Sequence, residues 1–249
     1  MKTSNHLLRR LTAALLAAVL ALSIALPVFA SDDGDTIYIN SVSDLLSLAK
    51  SCAYDQWSVG KTVILQKDLS LEGMLWEPIP SFSGQFKGNG HTISDLTITG
   101  QYSPAGLFGI VEEQGSIESL SVRGVVSVSD SADTTTGGIV GINHGTLINC
   151  QFTGVVTGDS EVGGIVGRNE SEGTIDHSTA RAIVTGKSST GGIAGYNLGA
   201  ITGCTNVGSI NTEYQEASLD TDGFTAKMVD QINNKMAAAD DDATNSVTN

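Results

Sequence analysis

The sequence predicts an all-β fold, a right-handed parallel β-helix with an N-terminal capping helix, from three observations. A glycine-rich pentapeptide recurs four times along the chain, and apolar residues recur at every second position between the copies. The 249 residues also include 29 Gly but only 5% aromatic residues, which argues against a large globular enzyme core. A single repeat of this kind cannot bury its own apolar face, whereas a stack of such repeats can.

The charge composition excludes two classes of partner. The chain holds 13 Lys and Arg against 27 Asp and Glu, for a net charge of −14. Three of the bases and none of the acids lie in residues 1–30, so residues 31–249 hold 10 bases and 27 acids and carry a charge of −17. A nucleic-acid-binding surface needs clustered bases, and docking on an anionic membrane needs a basic segment. We therefore expect neither partner.

Residues 1–30 have the pattern of a secretory signal peptide. Three bases, Lys2, Arg9 and Arg10, precede an apolar run at 11–26, and Val28-Phe29-Ala30 forms a small-x-small cleavage site. The apolar run is shorter than the roughly 20 residues that a membrane-spanning helix needs, so an N-terminal anchor is the less favoured interpretation. We expect cleavage after Ala30, a secreted or cell-surface location, and no membrane insertion after cleavage.

Residues 31–104 are interpreted as an N-terminal cap and the first turns of the β-helix. Ser41 can N-cap a helix over 42–53, with Asp44 at the capping-box position three residues later. The helix has an apolar stripe of Leu45, Leu48, Ala49 and Cys52, and strands are predicted at 36–39, 62–65 and 93–99. Because the end of a solenoid exposes its core and its strand edges, we expect the helix to cap that end; an ordinary surface helix is the alternative.

Residues 105–211 contain the four repeats. Their pentapeptides begin at residues 105, 137, 163 and 191, so the spacings are 32, 26 and 28 residues. Each pentapeptide follows the pattern Gly/Ala-Gly-Ile/Leu-x-Gly. The differences in spacing arise from short insertions at Gly-rich and Asx-rich points, where loops belong.

With these insertions removed, the residues between the pentapeptides align in columns. From the second column onward the columns recur at every second residue, which predicts a strand with one face turned inward. The columns are Ile117, Leu147, Ile175 and Ile201; Leu120, Cys150, Ser178 and Cys204; Val122, Phe152, Ala180 and Asn206; Gly124, Gly154, Ala182 and Gly208; and Val126, Val156, Val184 and Ile210. A propeller or a sandwich is the alternative architecture, but a propeller blade needs about 40–50 residues.

Two further columns carry their own predictions. Asn143, Asn169 and Asn197 share a column at a turn, where their amides could stack and satisfy backbone groups. Val125, Val155 and Ile183 form an apolar stripe among the polar residues on the water side of the strands. Such a stripe predicts a contact surface, with plain β-propensity as the equally weighted alternative.

The repeats resemble a known family. Gly106-Leu107-Phe108-Gly109 and the three later pentapeptides are similar to the GLUG motif, a bacterial repeat, and the segments 76–80 and 84–93 resemble the region that precedes such repeats in secreted and cell-surface proteins. The resemblance covers residues 36–211 and implies a parallel β-helix. It implies little about chemistry, because the motif occurs as a non-catalytic region, including in some immunoglobulin-A-cleaving metallopeptidases. Pro80 departs from the pattern, since Gly is common at that position.

Residues 212–249 differ from the repeats and form an acidic tail with eight acids and two Lys. Four apolar residues spaced by four predict a short helix near 224–238, namely Phe224, Met228, Ile232 and Met236. Asp240-Asp241-Asp242 and the last seven residues are predicted to be disordered. No anchor or sorting signal is recognisable at the end, so the sequence is interpreted either as a released protein or as the front of a longer one.

No catalytic, cofactor-binding or metal-binding set emerges from the sequence, and we predict no cofactor. His6, His91, His144 and His177 are far apart and fall in different columns. Arg123 and Arg181 share a column with Thr153 between them, which indicates a solvated face. The densest acidic group outside the tail is interpreted as a solvated loop, with a weak cation site as the alternative; it consists of Glu161, Glu170, Glu172 and Asp176.

Two functions therefore remain. We favour a non-catalytic, secreted or cell-surface module for adhesion, scaffolding or ligand presentation, which would bind a host or cell-surface glycan or protein. The alternative is a carbohydrate-active β-helix enzyme, or the non-catalytic front part of a larger surface protein such as a peptidase. We also predict no intramolecular disulfide. The odd number of Cys residues leaves at least one of them unpaired, and Cys150 and Cys204 share a column but lie two turns, about 9.6 Å, apart.

Overall fold

The computed structural model describes residues 35–54, 56–128 and 134–211. All of these except Asp35 belong to one unit that begins at Thr36. The predicted signal peptide at 1–30 and the predicted tail at 212–249, with its helix near 224–238, lie outside the described residues.

The described chain forms a parallel β-solenoid of about six turns with one short helix, which confirms the predicted fold class. The strands of successive turns stack into four sheets, named A to D here. In a full turn the chain runs from sheet A to sheet B, then through the small sheet D to sheet C, and returns to sheet A one layer further along. All pairings between the described strands are parallel, so the propeller and sandwich alternatives, which are antiparallel, are wrong.

Sheets A and B form two walls of the solenoid. Sheet A contains seven strands of three or four residues: β1 (Thr36–Ile39), β2 (Thr62–Leu65), β5 (Gln85–Lys87), β8 (Ser116–Glu118), β12 (Thr146–Ile148), β16 (Thr174–Asp176) and β20 (Ala200–Thr202). Sheet B contains the longest strands: β3 (Leu69–Ser70), β6 (Thr92–Gly100), β9 (Ser121–Val128), β13 (Gln151–Thr157), β17 (Thr179–Thr185), β21 (Thr205–Asn206) and β22 (Ser209–Ile210).

Sheets C and D complete the cross-section. Sheet C contains β4 (Ile79–Phe82), β7 (Phe108–Val111), β11 (Val140–Asn143), β15 (Val166–Asn169) and β19 (Ala194–Asn197). Sheet D contains β10 (Thr135–Gly137), β14 (Glu161–Gly163) and β18 (Thr190–Gly191). The last three glycine-rich pentapeptides therefore form the corner at which the chain leaves sheet D and enters sheet C.

The pairing register confirms the columns predicted from the sequence. Leu147 pairs with Ile117 on one side and with Ile175 on the other. Phe152 pairs with Val122 and Ala180 in the same way, and each of these six side chains is fully buried. One repeat is thus one turn. The strands β3, β4 and β5 were not predicted: β3 and β5 have two and three residues, too few to show a periodicity, and β4 contains Pro80, which argues against a strand.

The interior changes in composition along the axis. Phe82, Phe86 and Phe108 pack together in the early turns, with ring centroids 5.4–6.3 Å apart. Trp76 is also buried there, and its Nε1 donates a hydrogen bond to the carbonyl oxygen of Leu107 at 3.1 Å. In the later turns the core columns are mainly Val, Ile, Ala and Gly. Four large aromatic side chains therefore fill the core of the early turns, whereas Phe152 is buried in a later turn.

The helix α1 (Val42–Ser51) caps the N-terminal end, as predicted. The hydroxyl oxygen of Ser41 accepts a hydrogen bond from the Asp44 N–H at 3.2 Å. The Asp44 carboxylate in turn accepts from the Asn40 N–H at 2.9 Å, one residue before the usual capping-box donor, and this bond holds the pKa of Asp44 below its ordinary value. Leu45 and Leu48 are buried and join the contiguous core.

The predicted column of amides is a hydrogen-bonded ladder at the corner between sheets C and A. Asn143 Nδ2 donates to Asn169 Oδ1 at 2.8 Å, and Asn169 Nδ2 donates to Asn197 Oδ1 at 2.8 Å. Each Nδ2 also donates to a carbonyl oxygen of its own turn, 3.0–3.2 Å away, at Gly145, Gly173 and Gly199 respectively. The ladder thus satisfies turn backbone groups inside the solenoid, where water is excluded.

Candidate binding face and polar clusters

The outer face of sheet B is a broad, flat and mainly polar surface. The strands β9, β13 and β17 pair residue for residue over seven positions, a length of about 23 Å at the usual rise of a strand. Hydroxyl and amide side chains occupy both ends of this face, and they are Ser121, Gln151, Thr179, Ser127, Thr157 and Thr185. Exposed Arg123 and Arg181 lie between these ends, in the column that also holds Thr153.

The apolar stripe on this face stacks in register as predicted, but it is not open to water. Val125 is 1% exposed and Ile183 is 8% exposed, whereas Val155 between them is half-buried. Val125 and Ile183 do not belong to the contiguous core, so the atoms that shield them from water lie on the outer side of the sheet. The Arg at position i−2 of each is long enough to lay its stem over them, while Thr153 is too short to cover Val155. The expectation of an exposed stripe was therefore wrong at two of its three positions.

The acidic group of the third repeat is organised around a guanidinium. Arg168 Nη1 lies 2.8 Å from Oε1 of Glu161, and its Nε lies 2.7 Å from Oε1 of Glu170, the latter contact outside hydrogen-bond geometry. The ring of Tyr196, in the next turn of the same column, lies 5.0 Å from the guanidinium carbon. A single guanidinium thus contacts two carboxylates and offsets one of their two negative charges.

Sequence reasoning missed this pairing although a signal was present. Arg168 and Glu170 are two residues apart at the end of a strand, so period two places both side chains on the same face. The other two acids of the predicted group lie elsewhere: Glu172 accepts from Ser171, which lowers its pKa, and Asp176 contacts His177 at 2.8 Å. Among the described residues, no group of three or more His, Cys, Asp or Glu side chains could hold a metal ion.

The described histidines occupy separate positions at the surface. Nδ1 of His91 lies 3.1 Å from Oδ1 of Asp68, whose pKa is lowered by the Thr92 N–H and by this imidazole. His177 occupies the left-handed corner position after sheet A, with φ 44°, which Ser119 and Asn149 occupy in earlier turns with φ 53°. The structure brings no two of these imidazoles into contact.

The three thiols are free, and two of them line the core. Burial raises the pKa of Cys150 to about 12 and that of Cys52 to about 11, so both are neutral thiols at physiological pH. Cys204, in the last described turn, is half-buried, and burial raises its pKa as well. Ser178 lies between Cys150 and Cys204: its hydroxyl accepts from the Cys150 N–H at 3.1 Å, and its N–H contacts the Cys204 sulfur at 3.4 Å.

Two open cavities lie on the surface of the described solenoid. The larger, of about 320 Å³, is lined by Gln56, Val59, Ser81, Ser83, Glu112, Glu113 and Gln114. Glu112 accepts a hydrogen bond from the Ser81 hydroxyl at 2.8 Å. The two carboxylates that line this cavity belong to Glu112 and Glu113, which are adjacent residues of one loop. They do not face each other across the cavity from two separate elements, as the acid pair of a glycosidase does. The smaller cavity, of about 130 Å³, lies beside His177 and Cys150.

In the part of the chain that the structure describes, the single helix α1 has ten residues, and no helix is long and apolar enough to cross a membrane.

Known proteins share segments with this chain. Halomucin of Haloquadratum walsbyi is 32% identical over 155 residues, which is 57% of this chain but 2% of that protein. A protein of Evansella cellulosilytica, provisionally assigned as a Gly-rich membrane protein, is 30% identical over 137 residues, 40% of this chain and 16% of that protein. The chain therefore spans only a small part of the length of either relative.

A solved structure and a family profile also match. The crystal structure of a Bacteroides ovatus protein, provisionally assigned as an immunoglobulin A1 protease, superposes with a TM-score of 0.44 at 15% identity, over 72% of this chain and 77% of that one. The profile of the GLUG motif matches residues 158–185, which run from the end of β13 through β17, the third turn of the repeat region. The resemblance seen in the sequence is thus confirmed: residues 158–185 match the GLUG motif, and they form one turn of the β-solenoid.

Proposed function

We propose that this chain is a non-catalytic module of an exported or cell-surface protein and that the outer face of sheet B binds an acidic glycan. The chain as a whole is acidic, but the charged side chains that β9, β13 and β17 turn outward over their seven paired positions are both arginines, so this face is locally basic. The observation that supports the proposal is the face itself, on which two exposed arginines two turns apart stand between columns of hydroxyl side chains. Arginine binds carboxylate and sulfate groups in a planar, two-point geometry, and hydroxyls bind sugar hydroxyls. Such groups at regular spacing suit a repeating polymer more than a single small substrate.

A direct binding measurement tests the glycan. The full chain is passed over immobilised polygalacturonate, chondroitin sulfate and neutral dextran. We expect binding to at least one of the two acidic polymers and none to dextran. Changing Arg123→Ser and Arg181→Ser together should weaken that binding at least tenfold. The matched control, Lys50→Ser with Lys87→Ser, removes the same charge from helix α1 and sheet A. Equal loss in the two variants, or no binding to either acidic polymer, would overturn this assignment.

Export belongs to the same proposal. Residues 1–30 have the three parts of a signal peptide, and the relatives include a protein assigned to a membrane. We propose that the leader is removed after Ala30 and that the mature chain begins at Ser31. Intact-mass measurement on material recovered outside the producing cells gives the N-terminus directly. A mature protein that retains residues 1–30 would contradict it.

An enzyme remains the second candidate because of the cavity that holds Glu112 and Glu113. A carbohydrate-active enzyme would use one of these carboxylates as its general acid or base, because the two do not face each other as a pair. Incubation of the full chain with the same three polymers, followed by reducing-end analysis, separates the two functions. If the wild-type chain cleaves one of the polymers and the Glu112→Gln and Glu113→Gln variants do not, the chain is an enzyme and the proposal of a non-catalytic module is wrong.

A further inference from the structure

A groove follows the corner between sheets A and B and runs parallel to the solenoid axis. It is the smaller of the two open cavities, about 130 Å³, and its polar side chains come from three successive turns. These side chains form two columns, Ser119, Asn149 and His177 at the corner and Ser121, Gln151 and Thr179 at the strand starts of sheet B. The outer two of the three turns are two layers, about 9.6 Å, apart.

The corner column has the same backbone geometry in all three turns. The φ angle is 53° at Ser119 and Asn149 and 44° at His177, in the left-handed region. Nδ2 of Asn149 donates a hydrogen bond to Oγ of Ser119 at 3.2 Å, and Nδ1 of His177 lies 2.8 Å from Oδ1 of Asp176. Among the described residues that line the groove, hydroxyl and amide groups predominate and no carboxylate is present. Such groups donate and accept hydrogen bonds, as the hydroxyls of a sugar do.

A column with two arginines lies beside the groove. Arg123 and Arg181 are on the outer face of sheet B, two residues or about 7 Å beyond the strand starts that line the groove. Two layers, about 9.6 Å, separate them, and Thr153 occupies the column between them. In the turn before Arg123, Asp95 lies in the bulge of β6, between the residues that pair with the two neighbours of Arg123. The positive charge of this column is therefore confined to two turns that are two layers apart.

We propose that the ligand is a polysaccharide of alternating anionic and neutral units that lies in the groove along the solenoid axis. This inference rests on the proposed function, to which it adds the class and the direction of the glycan. An extended β-linked polysaccharide advances per sugar unit by nearly the spacing of one layer, about 4.8 Å. Successive anionic groups of an alternating polymer are thus two layers apart and match Arg123 and Arg181, while the neutral unit between them faces Thr153.

The charge spacing is tested by comparing two immobilised polymers. Hyaluronan carries a carboxylate on every second unit and polygalacturonate on every unit. We expect the full chain to bind hyaluronan at least fivefold more tightly. Thr153→Arg places a third cation in the middle layer and should reduce this preference at least threefold. The matched control, Thr157→Arg, adds the same charge to the same strand outside the column and should leave the preference unchanged. A wild-type preference for polygalacturonate, or an equal effect of the two variants, would overturn the proposal.

The direction of the polymer is tested on strand β13. Gln151 lies in the groove and Thr157 at the other end of the same face, and both are half-buried. Gln151→Ala should weaken hyaluronan binding at least fivefold, and Thr157→Ala should weaken it less than twofold. Equal losses would mean that the polymer lies along the strands and not along the axis.

A measurement on the wild-type chain does not depend on how any variant folds. A hyaluronan tetrasaccharide carries two carboxylates and the disaccharide carries one, so the tetrasaccharide should compete with the polymer at least tenfold better. Equal competition would refute the contact with both arginines. If acidic polymers bind through Arg123 and Arg181 without these preferences, the proposed function stands and this inference fails. If no acidic polymer binds, both are wrong.

Discussion

Asn143 and Asn169 are joined by a hydrogen bond of 2.8 Å between Nδ2 of the former and Oδ1 of the latter, and both side chains are fully buried. The bond links two successive turns at one corner. In the turn before, the column holds Val111, and Oδ1 of Asn143 has no partner among the described residues. The ladder therefore begins at Asn143 with one unsatisfied acceptor and ends at Asn197, which is exposed.

Loss of the Asn169 side chain, the middle member of the ladder, should destabilise the protein. Asn169→Ala deletes a donor to Asn197 and to the Gly173 carbonyl, and it removes the acceptor of Asn143. We expect the free energy of unfolding to fall by about 2–3 kcal/mol, since buried polar groups lose their partners. Asn197→Ala, at the exposed end of the ladder, is the control and should cost less than about 1 kcal/mol. Urea denaturation measures the free energy of unfolding of both variants. Equal losses would show that the buried part of the ladder contributes no more stability than its exposed end.

The Gly/Ala column predicts a steric effect. Gly154 has φ +149°, and a Cβ at this position would collide with the backbone oxygen of Gly124 in the preceding turn. Gly154→Ala should therefore destabilise the protein by about 2–4 kcal/mol, as overpacking and strained backbone do. In the next turn the same column holds Ala182, so Ala182→Gly is the control and should cost about 1 kcal/mol or less. Thermal unfolding of both variants checks the difference, and a Gly154→Ala protein as stable as the wild type would contradict the packing.

Thiol titration tests the one-turn-per-repeat geometry. Cys150 and Cys204 are held two turns apart, with Ser178 between them. Two layers separate their Cα atoms by about 9.6 Å, whereas a disulfide requires about 4.4–6.8 Å. The denatured, unreduced protein should therefore yield three free thiols. A titration that finds a single thiol would mean that two of the Cys residues are bridged and that the stacking is wrong.

The buried thiol also predicts a dependence of stability on alkaline pH. Burial raises the pKa of Cys150 from its ordinary value of 9.0 to about 12. The unfolded chain loses this proton above pH 9 while the folded chain keeps it, so the thiol's contribution to stability is complete below pH 9 and is lost as the pH rises toward 12. The loss amounts to about 1.4 kcal/mol per pH unit. In Cys150→Ala the part of the slope that comes from this thiol disappears, while the part that comes from Cys52 remains, so the stability of the variant relative to wild type should improve between pH 9 and 11. Parallel curves from urea denaturation over this range would rule out a desolvated thiol.

The sequence determined the stacking of this protein. The pentapeptide spacing and the period-two columns are local properties of the chain, and a solenoid converts them directly into contacts, because each residue lies next to its equivalent one turn away. The pairs Phe152–Ala180 and Leu147–Ile175 and the ladder Asn143–Asn169–Asn197 could therefore be predicted without coordinates. The same logic separates Cys150 from Cys204.

Tertiary structure alone decided burial and ion pairing. Val125 and Ile183 have the sequence signature of outward strand residues, yet they are buried, because burial depends on what packs over a side chain and not on the period of the strand. The acids around Arg168 look like a loop cluster in the sequence, but the turn folds two of them onto one guanidinium. Ile201 and Ile175 are equivalent in the repeat, and one is exposed while the other is buried, because a residue's depth depends on whether another turn follows it in the stack.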